Sequence, residues 1–234
     1  MKYNLIKGEW DMNKKITSII LAAVFTNIPA TQSNCENEFY TYKPINLINF
    51  EMDTKQKMIE NILNNLEKDQ ERKQNVRFNS YDITQISNVT YDEMKEILSE
   101  SHYSNFAEIS DAFVDAEKEY GINAFALVAI SGLESGWNTS ERANNGRNNI
   151  VGMAVYNDDS YGTVYESKYH CIMDLAKQLR THYVDQSGMF FNGTGTKAIN
   201  KKYSENPNWY KVVDSIGDEL ISIYNEKFRD GKPY

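Results

Sequence analysis

Among the residues of this sequence, Glu134 has the surroundings that best suit a catalytic carboxyl group. It follows the apolar stretch 124–130, AFALVAI, and precedes Gly136 by two positions. A helix that is apolar nearly all round lies in a core, and Gly136 can supply the left-handed residue that ends it. Glu134 then lies in the last turn, where low dielectric and the negative end of the helix dipole both disfavour its ionisation. No basic residue follows it until Arg142.

A carboxyl group that stays protonated near neutral pH can act as a general acid. Cleavage of a glycosidic bond needs such a group, because the leaving oxygen must receive a proton as the bond breaks. We therefore predict that Glu134 is the proton donor of a glycoside-cleaving site. The alternative, from spacing alone, is a helix-terminal glutamate that points into solvent.

Two blocks of the sequence resemble those of a known family. The first is ESGW at 134–137, followed by a polar loop and NNIVG at 148–152. It is similar to the catalytic segment of the bacterial endo-β-N-acetylglucosaminidase family, the glucosaminidase domain of cell-wall autolysins. The second is YSENPNWY at 203–210, where the family usually has Tyr-Ala-x-Asp-Pro-x-Trp or Tyr. The resemblance extends from about residue 81 to residue 228 and includes FVDAEKEYGIN at 113–123, which looks like the lead-in of clostridial-type members.

The resemblance implies an α+β fold that is predominantly helical and lysozyme-like, with a small β lobe flanking the catalytic cleft. The residue pattern itself predicts helices over 91–101, 105–120, 123–135, 168–183, 195–203 and 209–229. Between 151 and 166 the pattern changes to spaced tyrosines with turn residues, which favours a small hairpin lobe. We expect the cleft between this lobe and the helices.

The resemblance further implies a secreted peptidoglycan hydrolase that cleaves the N-acetylglucosaminyl-β-1,4-N-acetylmuramic acid bond, with Glu134 as the acid. Peptidoglycan glycan strands are the expected partner. One alternative is a muramidase or lytic transglycosylase, since those enzymes also place a Glu-Ser pair at a helix end. A second alternative is a non-catalytic wall-binding module.

Glycoside hydrolysis generally needs a second group that stabilises the transition state or activates water. In the resembled family this group is usually an acid of the β lobe, so we favour Asp158 or Asp159 over Glu166. Each of the two aspartates also suits a surface turn. The acetamido oxygen of the substrate could serve as the nucleophile instead, in which case one protein acid suffices.

Sugar-binding grooves combine aromatic faces with amides and hydroxyls. The second block supplies Tyr203, Trp209 and Tyr210, and we expect Tyr203 to contact the sugar near the cleaved bond. Asn148 and Asn149 are candidates to orient the loop beside Glu134 or to hold an acetamido group. For Tyr210, as for Trp137, packing in the core is the favoured role.

Composition excludes several other classes of protein. The chain has 25 basic and 33 acidic residues, a net charge of −8, and no Lys/Arg cluster, so we expect no nucleic-acid binding. Its three histidines are too scattered for a zinc pattern, and we expect neither a metal nor a cofactor. The two cysteines rule out a disulfide framework, and helical spacing around Cys171 predicts a packed core thiol.

The amino terminus has the parts of a secretory signal. A lysine pair precedes a mostly apolar run over 16–28 and a small-residue segment, which predicts a signal peptide over 1–33, with Met12 as a candidate start. Residues 34–75 then form a helical spacer or arm, 76–229 the glucosaminidase domain, and 230–234 a tail. We expect a secreted or wall-associated monomer without stable membrane insertion once the signal is removed.

Overall fold

The structure, a computed structural model, describes residues 45–99, 101–154 and 162–229. The chain divides into two compact units, Met1–Thr54 and Lys55–Tyr234. The second unit is helical, and no strand occurs among the described residues. The expected signal peptide lies outside the described residues, and no helix within them is long and apolar enough to cross a membrane.

Seven α-helices are described. In chain order they are α1 (Ile45–Gln74), α2 (Tyr91–Leu98), α3 (Ser110–Tyr120), α4 (Ala124–Ser135), α5 (Lys168–Gln178), α6 (Thr196–Tyr203) and α7 (Trp209–Tyr224). Two 3₁₀ segments, Ser101–Ile109 and Glu141–Ala143, precede α3 and follow α4. Two π-helical turns, Leu179–Val184 and Asn225–Arg229, extend α5 and α7.

The predominantly helical prediction is confirmed, and the β lobe is not shown. Residues 162–166 have neither helical nor strand backbone, and residues 155–161 lie outside the described residues. The segment 101–109 adopts a 3₁₀ helix, whereas the sequence pattern predicts the end of one α-helix and the start of another there. Short 3₁₀ pieces commonly connect helices, and apolar spacing does not distinguish them from an α-helix.

Helix α4 is the centre of the core. Its residues from Ala124 to Gly132 are all buried, because the sequence leaves no polar face to present to water. Asn123 caps its amino end, and the amide oxygen of this side chain accepts from the backbone N–H groups of Phe125 (3.0 Å) and Ala126 (3.3 Å). Gly136 ends it with φ 57° and ψ 48°, which is the left-handed closure that the sequence predicts.

A buried carboxyl group supports the amino end of α4 from α3. Glu117 accepts hydrogen bonds from the backbone N–H groups of Ala124 (2.7 Å) and Ser87 (2.7 Å), and from the Ser87 hydroxyl (3.0 Å). Burial raises the pKa of Glu117, while these donors favour its charged form. One side chain thus joins the segment before α2, helix α3 and the start of α4.

Arginines fix the ends of α1 and α7. Arg72 of α1 donates two hydrogen bonds to the buried Glu93 of α2, at 2.8 and 2.7 Å. Such paired Arg–carboxylate bonds are short and directional. Glu93 also completes a capping box with Thr90, the N-cap residue of α2. Arg229, after α7, donates to the carbonyl oxygens of Lys73 (2.8 Å) and Gln74 (3.0 Å).

The position of Cys171 agrees with the predicted role of a packed core thiol. Cys171 is fully buried on α5 and is not in a disulfide. Burial raises the pKa of its thiol to about 12, so the reactive thiolate is disfavoured. Cys35 lies outside the described residues.

We predict that the acceptor role of Glu117 can be separated from its charge. Glu117→Gln keeps an amide oxygen that can accept from both N–H groups, whereas Glu117→Met leaves both buried donors unpaired. We expect the methionine variant to have a free energy of unfolding about 1–3 kcal/mol lower than that of the glutamine variant. Urea unfolding followed by circular dichroism measures the difference. Equal stabilities would contradict this account of the α3–α4 junction.

Candidate active site

The two sequence blocks meet at one hydrogen bond. The indole N–H of Trp209 donates to Oε1 of Glu134, and the distance is 2.8 Å. Trp209, the first residue of α7, is only 3% exposed. Packing of the buried ring therefore holds its N–H group in place. The Glu134 carboxyl group therefore has a defined position although its residue is open to solvent.

The surroundings of Glu134 favour its protonated form. Crowding by protein atoms around the carboxyl group raises its pKa above the usual glutamate value. The hydrogen bond from Trp209 and the positive charge of Arg142 act in the opposite direction, without cancelling the rise. The direction agrees with the sequence argument. However, Arg142 acts on the carboxyl group in space despite its separation along the chain.

The backbone turns sharply after Glu134. Gly136, Trp137 and Asn138 have successive φ angles of 57°, 60° and 65°, all in the left-handed region. The buried hydroxyl of Ser135 holds this turn, since it donates to the carbonyl oxygen of Ser131 (2.6 Å) and accepts from the N–H of Asn138 (2.8 Å). These contacts cap the carboxyl end of α4.

Trp137 packs into the core, as the sequence argument favours. Its ring lies against Gly132, where an added Cβ atom would be 2.4 Å from the indole. The Tyr103 ring meets it edge-on, with 4.7 Å between ring centroids. A side chain at Gly132 would push Trp137 outwards and displace the turn that follows Glu134.

The loop after the turn is ordered by asparagine amides. The buried Asn149 accepts from the N–H of Met153 (2.9 Å) and donates to the carbonyl oxygen of the same residue (3.0 Å). Asn148 donates to the carbonyl oxygens of Tyr165 (3.0 Å) and Glu166 (3.2 Å). In the described structure both amides thus orient the loop, which is one of the two roles predicted for them.

A row of aromatic rings leads away from Glu134. Tyr203 lies 4.7 Å from Trp209 between centroids, Tyr183 lies 5.5 Å from Tyr203, and Phe190 lies 5.1 Å from Tyr183. Burial and the negative charge of Glu134 raise the pKa of the Tyr203 phenol well above its usual value. Tyr183 and Phe190 are not predicted from the sequence, because neither belongs to a matching block. With 16 tyrosines in the chain, a tyrosine outside those blocks carries no signal of its own.

The other predicted site residues are placed differently. Tyr210 lines a separate cavity that Glu134 does not line. Asp158 and Asp159 lie outside the described residues. Glu166 is exposed, and its carboxylate is 3.8 Å from the His170 ring nitrogen. Among the residues that the structure describes, no group of acidic, histidine or cysteine side chains could hold a metal ion.

The fold and the site define the class of protein. A helical domain presents a carboxyl group of raised pKa next to partly exposed aromatic rings, an arrangement that suits general-acid cleavage of carbohydrate. A family model, Glucosaminidase, described as mannosyl-glycoprotein endo-beta-N-acetylglucosaminidase, matches residues 110–226, half of the chain. The chain belongs to this family of glycoside hydrolases.

Relatives agree with this assignment. A protein of Streptococcus pneumoniae serotype 4, provisionally named endo-beta-N-acetylglucosaminidase, is 28% identical over 139 residues, which cover 58% of this chain and 21% of the relative. The homologue from strain R6 is also 28% identical over 139 residues, covering 58% and 20%. The match thus spans about a fifth of these curated relatives.

Solved structures share the fold. The crystal structure of Staphylococcus aureus autolysin E has a TM-score of 0.52 and 17% identity, and the match covers 66% of this chain and 78% of that one. A catalytic glutamate-to-alanine mutant of autolysin E, in complex with the disaccharide NAG-NAM, has a TM-score of 0.52 and 16% identity, covering 65% and 77%. At this identity the likeness shows the fold alone.

We predict that Trp209→Phe raises the pKa of Glu134. The substitution keeps an aromatic ring but removes the N–H donor that favours the carboxylate. A carbon-13 NMR titration of glutamate carboxyl groups measures the shift, with Glu134→Gln used to assign the signal. The neighbouring Tyr210→Phe variant is the control and should leave the titration unchanged. A lower or unaltered pKa in Trp209→Phe would count against the bond.

Proposed function

We propose that this domain cleaves the N-acetylglucosaminyl-β-1,4-N-acetylmuramic acid bond of peptidoglycan, with Glu134 as the general acid. The observation that carries the proposal is the Glu134 carboxyl group, which accepts a hydrogen bond of 2.8 Å from Trp209 and whose pKa is raised by burial. Its proton passes to the glycosidic oxygen as the bond to the anomeric carbon breaks, and water supplies the hydroxyl group of the new reducing end.

The aromatic row supports a polymeric sugar as substrate. Tyr203, Tyr183 and Phe190 are each partly exposed, and their rings follow one another from the acid outwards. Flat apolar faces of successive sugar rings can pack on such a series. Tyr203, the nearest of the three to Glu134, is our candidate for contact at the cleaved bond. Trp209 acts chiefly through its N–H group, because its ring is buried.

The second catalytic group is proposed from the sequence. Asp158 and Asp159 belong to the part of the sequence between Ala154 and Gly162. Tyr165 follows this part of the sequence, and its carbonyl oxygen accepts a hydrogen bond from Asn148 of the polar loop. Either aspartate could stabilise the positive charge that develops at the anomeric carbon. The substrate acetamido oxygen is the alternative, in which case neutral replacement of both aspartates would leave substantial activity.

Related cleavages remain as alternatives because they also use a glutamate acid. A muramidase would leave muramic acid at the reducing end, and a lytic transglycosylase would leave an anhydro ring. We further propose that the protein is secreted or wall-associated and works as a monomer. Peptidoglycan strands would be its partner.

We expect Glu134→Gln to lower the rate of peptidoglycan cleavage by about 100-fold or more, because it removes the transferable proton. The measurement is the release of reducing ends from purified peptidoglycan, with mass analysis of the reduced products. Glu141→Gln, an exposed glutamate in the following loop, is the control and should retain the rate.

Three outcomes would contradict parts of the proposal. Anhydro-muramic ends would indicate a transglycosylase, and muramic ends a muramidase. Equal and negligible cleavage by the wild-type protein and the Glu134→Gln variant would favour a wall-binding module.

The pH profile gives a separate prediction. A general acid must be protonated, so kcat/KM should fall as pH rises through the raised pKa of Glu134. Arg142→Gln removes a positive charge that lowers this pKa, and we expect the alkaline limb of the profile to move to higher pH. Arg147→Gln, in the same loop, is the charge-matched control. A shift to lower pH in Arg142→Gln would show that another group controls the limb.

A further inference from the structure

A concave site lies between the segment that contains Ser80 and the helices α6 and α7. It is a cavity of about 540 Å³, lined on one side by Ser80 and Tyr81 and on the other by residues of α6 and α7, with Lys197, Lys201, Tyr210 and Asp214 among them. Its volume is in the range of small-molecule binding sites. The catalytic step proposed for Glu134 uses none of these residues.

The floor of this cavity is fixed backbone. The N–H of Thr196 donates to the carbonyl oxygen of Ser80 (2.9 Å), and the N–H of Ile83 donates to that of Thr194 (3.0 Å). Gly195 permits the close approach, because a Cβ atom there would lie 2.7 Å from the carbonyl oxygen of Tyr81. The cavity is therefore built between two segments that are far apart in sequence.

Two exposed lysines give the cavity a local positive charge. Lys197 and Lys201 are one helical turn apart on α6, so their side chains lie on the same face. No ion pair found among the described residues uses either ammonium group. In a chain with a net charge of −8, such a pair favours anionic groups at this place over the rest of the surface.

Aromatic faces accompany the lysines. Tyr81 is 89% exposed, so the face of its ring is available for contact. Tyr210 is partly buried, and Nζ of Lys197 lies 5.7 Å from the centre of its ring. The cavity thus offers ammonium groups beside apolar ring faces.

The acid in the cavity is already engaged. Oδ1 of Asp214 accepts a hydrogen bond of 2.6 Å from the hydroxyl of the buried Thr196. Burial and the nearby charge of Asp218 raise the pKa of Asp214. The Thr196 hydrogen bond fixes the Asp214 carboxyl group, while the two lysines are exposed on α6.

The cavity and the active site are joined by two consecutive residues. Trp209 points its N–H at Glu134, and Tyr210 lines the cavity. Successive side chains of a helix point about 100° apart. These two aromatic residues of one turn of α7 therefore contact two different places, the acid and the cavity.

We propose that this cavity binds the carboxylate-bearing peptide stem of a peptidoglycan strand whose glycan lies at Glu134. The inference rests on the proposed function. Lys197 and Lys201 pair with the carboxylates of the stem, and Tyr81 and Tyr210 cover its apolar atoms. The subsite makes the enzyme prefer strands that carry peptides over strands from which an amidase has removed them.

Binding tests this proposal without turnover. In the Glu134→Gln background, calorimetry compares a disaccharide muropeptide with the same disaccharide lacking its peptide. We expect Lys197→Gln/Lys201→Gln to weaken binding of the muropeptide about 10-fold, as the loss of charge-assisted contacts implies, and to leave the peptide-free disaccharide unaffected. Lys202→Gln/Lys211→Gln removes the same charge outside the cavity and should change neither affinity.

Kinetics gives an independent measurement. In the active enzyme, the Lys197→Gln/Lys201→Gln variant should raise KM for peptide-bearing strands and leave kcat unchanged, because the lysines contact no reacting atom. Peptide-free strands should show the same KM with both proteins.

Several results would overturn the proposal. Unchanged muropeptide affinity in the cavity variant, or an equal loss in the control variant, would show that the cavity holds no stem. Displacement of the muropeptide by inorganic phosphate but not by acetate would assign the lysines to a phosphate polymer. Failure of the proposed function is distinguishable, because the wild-type protein would then release no products while the muropeptide still binds.

Discussion

The burial of α4 is the constraint on which the rest of the structure depends. A helix with no polar face can carry polar groups only at its two ends. At each end of α4, particular residues satisfy the backbone or turn the chain. At the amino end, Asn123 and the buried Glu117 satisfy backbone N–H groups. At the carboxyl end, Gly136 reverses the chain and Glu134 emerges from the core. The acid is thus fixed by the same packing that forms the core, so its position does not depend on a flexible loop.

The environment of Glu134 acts on its pKa in two directions. Burial around the carboxyl group raises the pKa, while the Trp209 hydrogen bond and the Arg142 charge lower it without cancelling the rise. The same indole N–H also fixes the direction of the carboxyl group. The Trp209 contact therefore contributes to both the geometry and the acidity of the site.

The features that the sequence predicted well are local. The apolar run, Asn123 and Gly136 lie within 14 residues, so α4 and its closure follow from periodicity and capping rules. The Trp209–Glu134 bond joins residues 75 positions apart, and only the family resemblance associated the two blocks. Tyr183 joins the aromatic row from the π-helical turn after α5, and Phe190 from the segment that follows, which apolar spacing does not reveal. Asn148 and Asn149 were identified as important, but their backbone partners depend on the three-dimensional path of the loop.

Helix α7 connects the chemistry to the surface around it. Its first residue bonds the acid, its second lines the lysine-bearing cavity, and Asp214 one turn later accepts from Thr196 of α6. Because α7 also packs along α4 through buried residues such as Val213 and Leu220, a displacement of its first turn would move the Trp209 donor and the cavity wall together.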